Sequence, residues 1–401
     1  MQALGHRDFA RYAGARLTAT LSWQMLDVVL GYQVWTLTHS KYALGFIGLS
    51  QFLPFVLLLL PGGQIADRFD RRLVILCAYA VEFAAAAALM LFTLLGGRNP
   101  LVCFAAAALL GAARAFWAPA GQAMTPNLVP KNLLSGAISV NTVCFTSATI
   151  SGPLLGGFFA HVGIDIAYGV VLLLLVVTLY FMARVRPVRA QAAAEWHWHQ
   201  VLDGVKFVWR KKPVLGAISL DLFAVLFGGA VALMPVFADQ ILHVGSLGFG
   251  LLRSAPAVGA AIVAITLGLR PIQRHAGRWM FGGVAAFGVA TVVFALSTSF
   301  TLSLATLAVA GAGDMVSVFV RGMLVQLETP DAIRGRVSAV NSMFIGASNE
   351  LGGFESGVTA EWFGTVRSVV IGGIGTLLVV ASYMKIFPEL RKLDRFPDPV
   401  H

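Results

Sequence analysis

The fold is decided by residues 44–95, which read LGFIGLSQFLPFVLLLLPGGQIADRFDRRLVILCAYAVEFAAAAALMLFTLL. The stretch holds two long apolar runs, at 44–66 and 73–95, separated by a short loop rich in charge. A helix needs about 20 apolar residues to cross the hydrocarbon layer of a bilayer, so each run is long enough to span it. The stretch therefore predicts a pair of membrane-spanning helices joined by a tight polar turn.

The same pattern recurs along the whole chain. The predicted spans are 15–37, 44–66, 73–95, 101–124, 135–160, 165–184, 213–238, 248–270, 278–296, 300–324, 337–360 and 366–387. Hydrophobic residues make up 58% of the 401 residues and charged residues 12%, against about 25% charged in soluble domains. We predict an all-α polytopic membrane protein with six-helix bundles at 1–184 and 213–387, a linker at 185–212 and a cytoplasmic tail at 388–401.

The distribution of basic residues predicts the orientation of the chain. Of the 29 lysines and arginines, 23 lie in the N-terminal segment, the even-numbered loops and the C-terminal tail, and three lie on the opposite side. Because short cytoplasmic loops carry the excess of Lys and Arg, both termini are predicted to be cytoplasmic. The net charge of +10 is thus explained by topology, and no nucleic-acid partner is predicted.

The linker contains an amphipathic stretch from Trp198 to Trp209, predicted to be an interfacial helix at anionic headgroups. His197 and His199 leave open the alternative of a metal site, but the chain as a whole predicts no metal and no cofactor. The three cysteines lie inside apolar runs and form no disulfide or metal pattern.

An internal repeat relates the two halves. A shift of 200 residues aligns Gly111 with Gly311, Pro130 with Pro330, Asn141 with Asn341 and Gly152 with Gly352. Two six-helix halves related by a parallel repeat are the plan of one large class of transporters, which bind their substrate between the halves.

The loop after the second span reads Gly63-Gln-Ile-Ala-Asp67-Arg68-Phe-Asp-Arg71-Arg72. It resembles the loop between helices 2 and 3 of the major facilitator superfamily, G-x-L-a-D-R-x-G-R-R. The small residue would let two helices approach closely, and the charges would form contacts that break when the cavity changes sides. Asp70 stands where the family has a second glycine. The counterpart near Gly268 to Arg278 lacks the acid, which predicts an asymmetric latch.

A second motif lies in the fifth span, where Ser151 precedes Gly152-Pro153-Leu-Leu-Gly156-Gly157. It resembles the antiporter motif of the same superfamily, g-x-x-x-G-P-x-x-G-G, with Ala148 at the first glycine. Close packing of small residues is the alternative reason for such a pattern. With further phrases such as Tyr32-Gln-Val-Trp35 and Arg334-Gly-Arg-Val337, the chain resembles the branch that contains the enterobactin exporter and the macrolide-efflux proteins of bacteria.

Charges inside the spans need a reason, because a charged side chain at the bilayer centre costs about 2.5–3.5 kcal/mol on insertion scales. The resemblance places helices 1, 4, 7 and 10 around a central cavity. The predicted cavity residues are Gln24, Asp27, Arg114, Phe116, Asp221, Phe223, Asp314 and Arg321. Arg114 has the alternative role of pairing with a neighbouring acid to hold helices together. The aromatic residues have the alternative role of packing against helices or lipid.

Three carboxylates are predicted to couple transport to protons: Asp27, Glu82 and Glu350. Asp27 is the first candidate, because a partly desolvated carboxylate can take up a proton near neutral pH. Glu82 has the equal alternative of a bond to a neighbouring helix, and Glu350 could support the cavity wall.

The chain lacks the G-x-x-x-x-G-K-[ST], H-E-x-x-H and G-x-S-x-G motifs, so neither ATP hydrolysis nor an enzyme activity is predicted. We expect a proton-coupled exporter of an amphipathic small molecule, such as a siderophore or drug, in a bacterial inner membrane, working as a monomer by alternating access. The open alternatives are an importer or a lysophospholipid flippase on the same fold, and, from another class, a membrane-embedded receptor or enzyme.

Overall fold

A computed structural model describes residues 2–188 and 198–397, and every regular element in these ranges is helical. The helices are α1 Arg7–Thr38, α2 Lys41–Arg68, α3 Arg71–Leu94, α4 Leu101–Leu128, α5 Leu134–Val162, α6 Ile164–Ala183, α7 Trp198–Arg210, α8 Lys212–Phe227, α9 Met234–Val236, α10 Gly245–Leu269, α11 Ala276–Leu296, α12 Phe300–Glu328, α13 Asp331–Phe363, α14 Thr365–Ile386 and α15 Pro388–Arg391. Short 3₁₀ or π turns join α8 and α9 into one segment that runs to Ile241.

These helices supply all twelve predicted spans, so the all-α polytopic fold is confirmed. Ten of the segments are long and apolar enough to cross a membrane by length and composition. The other two are α1 and α13, which carry five and six charged residues respectively. Their lower apolar content follows from the cavity and loop charges that the sequence places on them.

Local signals set the helix boundaries in the second span. The Ser40 side chain accepts a hydrogen bond from the Ala43 amide at 3.3 Å, which caps the first turn of α2. α1 ends just before, at His39, whose φ of 47° takes the chain out of the helix. Asp70 caps α3 by accepting from the Arg72 amide at 3.0 Å.

Contacts divide the chain into an N-terminal unit, residues 1–195 with 244–254, and a C-terminal unit, residues 196–243 with 255–401. The sequence places residues 244–254 in the second bundle, whereas they group with the first six helices. The predicted segment boundaries otherwise stay a prediction.

The repeat in the sequence corresponds to a repeat in packing. In the N-terminal unit α1 packs on α5 and α6, and α3 packs on α4 and α6. In the C-terminal unit α8 packs on α13 and α14, and α11 packs on α12 and α14, which are the same pairs one repeat later. The two units therefore share these four helix pairings.

Two pairs of repeated glycines occupy equivalent places. A Cβ on Gly111 would meet the Gln51 backbone of α2, and one on Gly311 would meet the Pro256 backbone of α10. Gly152 lies against α1 in the same way as Gly352 lies against α8. These glycines recur at one offset because each lies at a close helix contact that a side chain would block.

The predicted interfacial helix forms α7, but one of its faces is docked on the protein. Val208 is buried in a cluster with Val214, Val325 and Val337, whereas Trp209 is 73% exposed. The predicted headgroup contact therefore applies to the outer face alone. His197 lies outside the described residues, and among the described residues no three His, Cys, Asp or Glu side chains gather as metal ligands would.

Candidate functional site

The candidate coupling residue Asp27 is held in an ion pair. Arg253, eight residues into α10, donates from Nη2 to its Oδ2 at 2.5 Å, and the two side chains are 25% and 23% exposed. Both residues lie in the N-terminal unit. Arg253 lies near the start of the predicted span 248–270. No spacing rule could supply its partner, because the pair is separated by 226 residues.

The antiporter motif frames this pair. A Cβ on Gly152 would meet the Gln24 side chain, and one on Gly156 would meet the Met25 backbone, so the motif holds α5 tightly on α1. Gly157 faces Gly250 of α10 in the same way. The motif therefore fixes the two helices that carry Asp27 and Arg253. Gln24, a predicted cavity residue, lies where α5 crosses α1.

A second group of side chains surrounds Arg114 on α4. Its guanidinium lies 4.9 Å from the Phe55 ring centroid and 5.7 Å from that of Trp23, which are cation–π distances. Trp117, one turn further on, contacts Trp23 edge-on at 6.3 Å. Sequence analysis named Arg114 and missed both of its aromatic partners, which lie on α1 and α2.

Glu82 is tied into the same aromatic group. Its Oε1 accepts a hydrogen bond from Trp117 Nε1 at 2.7 Å, and the residue is 2% exposed. This geometry matches the predicted alternative of a bond to a neighbouring helix, whereas its role in proton coupling stays a prediction. Phe116 packs against the buried cluster of the N-terminal unit, as its packing alternative predicts.

The C-terminal unit contains a buried charge cluster on α8 and α12. Arg321 Nη1 contacts Asp221 Oδ2, and the two residues are 2% and 4% exposed. Asp314, two turns before Arg321 on the same helix, lies within electrostatic range of both. The cluster thus holds two carboxylates around one guanidinium.

Two other predicted residues lie outside these groups. Phe223 stacks on Phe227 at 6.5 Å and contacts Tyr383 at 6.3 Å, so its contacts are those of helix packing. Glu350 lies half-buried on α13, and its predicted coupling role stays a prediction.

The predicted gating loop, residues 63–72 at the junction of α2 and α3, is held in place by its charged side chains. Arg71 lies 4.0 Å from Asp67, and its Nη1 donates to the Ala123 carbonyl at 3.4 Å. Arg72 donates to the Ala183 carbonyl at the end of α6, while Arg68 is exposed. Asp70, the departure from the family pattern, caps α3 as described above.

The close approach of helices falls one residue before the motif glycine. A Cβ on Gly62 would meet the Ala115 carbonyl of α4, whereas a Cβ on Gly63 would have no neighbour within 4 Å among the described residues. The expectation that Gly63 makes this contact is therefore wrong for this structure. The crossing of α2 and α4 determines which of the two glycines makes the contact. The motif alone does not specify this register.

This register predicts opposite results for adjacent substitutions. Gly62→Ala is expected to lower the free energy of unfolding by about 1–3 kcal/mol, because overpacking forces α2 and α4 apart. Gly63→Ala is expected to be neutral or to stabilise by up to about 1 kcal/mol, because alanine is the better helix former. Thermal unfolding of both variants in detergent provides the measurement. Equal melting temperatures for the two would contradict the register.

Comparisons with known proteins agree with this fold. A family model described as transmembrane secretion effector matches residues 3–399. The enterobactin exporter EntS of Citrobacter koseri is 28% identical over 403 residues, which cover 98% of this chain and 95% of that protein. EntS of Escherichia coli O139:H28 is 27% identical with the same coverage.

Solved structures give the same architecture at lower identity. A POT family transporter in complex with 5-aminolevulinic acid superposes with a TM-score of 0.77 at 11% identity, covering 96% of this chain and 97% of that one. A bacterial homolog of the human lysosomal transporter Spinster, inward-facing and occupied, gives 0.76 at 14% identity with the same coverage. At these identities the likeness concerns the fold alone.

Proposed function

Because this chain belongs to the transmembrane secretion effector family of the major facilitator superfamily, we propose that it is a proton-driven exporter of an amphipathic, aromatic small molecule. It is a multi-pass membrane transporter and not an enzyme. The proposal places it in a bacterial inner membrane with both termini cytoplasmic, as the 23 basic residues on that side indicate.

The Asp27–Arg253 ion pair is the observation that carries the proposal. Its partial exposure lets water or substrate reach it, while its surroundings within two helices penalise an unpaired charge. If Arg253 withdraws, an unpaired carboxylate is left in the span, and a proton on Asp27 would neutralise it. Breaking the pair and taking up a proton are thereby linked, which is the requirement for antiport by alternating access.

The group around Arg114 supports an aromatic substrate. Trp23, Phe55 and Trp117 offer ring faces and edges beside a cation, a combination that suits a flat aromatic group bearing negative charge. The relatives are named as enterobactin exporters, so a siderophore is the first substrate to test.

Inside-out membrane vesicles test export directly, because their interior corresponds to the outside of the cell. With respiration acidifying the interior, we expect enterobactin to accumulate in vesicles that contain the protein and an uncoupler to release it. A macrolide and a lysophospholipid, measured in parallel, test a drug exporter and the flippase alternative. Accumulation in right-side-out vesicles alone would show an importer and overturn the proposal, as would accumulation that the uncoupler leaves unchanged.

A further inference from the structure

In the N-terminal unit, the segment that follows α6 is hydrogen-bonded to the start of α3. The Arg71 amide donates to the Val188 carbonyl at 3.2 Å. The Val188 amide donates in return to Asp70 Oδ1 at 3.1 Å, the same oxygen that caps α3. One acid in the gating loop therefore anchors both the helix and the segment.

The C-terminal unit repeats this arrangement, but here the acid lies in the segment after the last helix and not in the loop before α11. After α14 and α15, the Leu393 carbonyl accepts from the Gly277 amide at 2.9 Å, and the Asp394 carbonyl accepts from the Ala276 amide at 3.3 Å. Asp394 Oδ1 accepts from the His275 amide at 3.1 Å and lies 3.6 Å from His275 Nε2. The loop before α11 lacks an acid, and the acid comes from the end of the chain instead.

The external carboxylate holds His275, the residue that precedes the first turn of α11. His275, at the N-cap of α11, has a φ of 59° and its side chain caps no amide of the helix. A left-handed conformation is unfavourable for a residue other than glycine and persists where surrounding contacts hold it. The hydrogen bond from the His275 amide to Asp394 provides such a contact, and the carboxylate complements the positive end of the helix.

Apolar packing fixes the C-terminal segment in place. Leu390 is fully buried in a cluster with Ala276, Met280 and Phe281 of α11. A Cβ on Gly277 would meet the Leu390 carbonyl, so that glycine is required for the approach. The predicted cytoplasmic tail at 388–401 is therefore, as far as residue 397, a docked part of the C-terminal unit.

We propose that Asp394 is the positioning residue of the second gating loop and supplies the acid missing from residues 268–278. It holds the N-terminus of α11 and thereby orients the exposed arginines of that loop, Arg270, Arg274 and Arg278. The acid that the second loop lacks is thus contributed by Asp394 from the segment after α15. The role in gating rests on the proposed transport function, whereas the capping contact does not.

Hydrogen–deuterium exchange tests the capping contact without any substrate. In Asp394→Ala, the His275 amide is expected to exchange about fivefold faster, because it loses its acceptor, whereas the amides of Ala276 and Gly277 keep their main-chain acceptors. Asp394→Asn is expected to remain near the wild-type rate, because the amide oxygen accepts the same hydrogen bond. Glu389→Ala removes an exposed acid from the same segment and is the matched control. Unchanged exchange in Asp394→Ala would overturn the assignment.

Transport in inside-out vesicles then separates positioning from simple stability. Asp394→Ala is expected to lower the maximal rate severalfold with an unchanged KM, while Asp394→Asn retains most of the rate and Glu389→Ala all of it. Faster exchange combined with wild-type transport would overturn the gating role and leave a structural cap. Should Asp394→Ala not fold, Asp394→Glu, which displaces the carboxylate by one methylene, replaces it in both comparisons. If the wild type moves no substrate, the proposed function fails while the exchange result still stands.

Discussion

Asp27→Asn is expected to abolish uphill, proton-driven accumulation of substrate while leaving exchange of substrate across the membrane intact. Asparagine keeps the shape of the side chain but neither binds a proton nor balances Arg253, its partner at 2.5 Å. A transporter that has lost its proton site can still change conformation with substrate bound. Inside-out vesicles measure accumulation, and preloaded proteoliposomes measure exchange.

The control for this variant is Asp165→Asn, the same chemical change at the start of α6, where the structure gives that carboxylate no ion pair among the described residues. It is expected to transport as the wild type does. A second variant, Asp27→Asn with Arg253→Gln, removes both charges and should recover any stability that the single change loses. Wild-type accumulation in Asp27→Asn would refute the coupling role.

Arg321→Met is expected to be the most destabilising single change in the C-terminal unit, costing about 3–5 kcal/mol in the free energy of unfolding. Arg321 and Asp221 are both almost fully buried, and Asp314 is in range of the same guanidinium. Removing the cation leaves two carboxylates without a counter-charge. Asp221→Asn should cost less, because Asp314 remains to balance Arg321. Thermal unfolding in detergent ranks the variants.

Two comparisons sharpen this prediction. Arg321→Met combined with Asp221→Leu replaces the contacting pair by apolar groups and should recover part of the lost stability, because Asp314 still lacks a counter-charge. Glu328→Gln breaks the more exposed pair with Lys211, at 3.1 Å in the same unit, and should cost less than about 1 kcal/mol. If the melting temperature of Arg321→Met were no lower than that of Glu328→Gln, the buried cluster would not stabilise the fold by the predicted amount.

The sequence predicts the helices and their repeat because both depend on local, periodic signals. Apolar runs reveal the spans, and even the two helices that fail a strict hydropathy test, α1 and α13, are bounded by recognisable loops. Gly111 and Gly311 match at one offset because each lies at a crossing of helix backbones. A glycine required at a crossing can therefore be recognised in the sequence, whereas an ordinary core residue cannot be told apart from other apolar residues.

The partners of the predicted residues could not be found in the same way. Arg253 lies 226 residues from Asp27, and Asp394 lies 119 residues from His275, so neither pairing has a spacing that a pattern could reveal. The contact glycine, Gly62, differs from the motif glycine because helix register depends on the whole packed interface. Charge balance is the one signal in the sequence that points to these partners, because each buried or capping charge needs a residue of opposite charge.

Antiport requires that proton uptake at the site accompanies release of the substrate, and purified protein in proteoliposomes allows both movements to be measured. A pH-sensitive dye is enclosed, the membrane potential is clamped at zero, and an enterobactin gradient is imposed across the membrane. We predict proton movement opposite to that of the substrate in the wild type and none in Asp27→Asn. Substrate movement without any pH change in the wild type would contradict proton coupling.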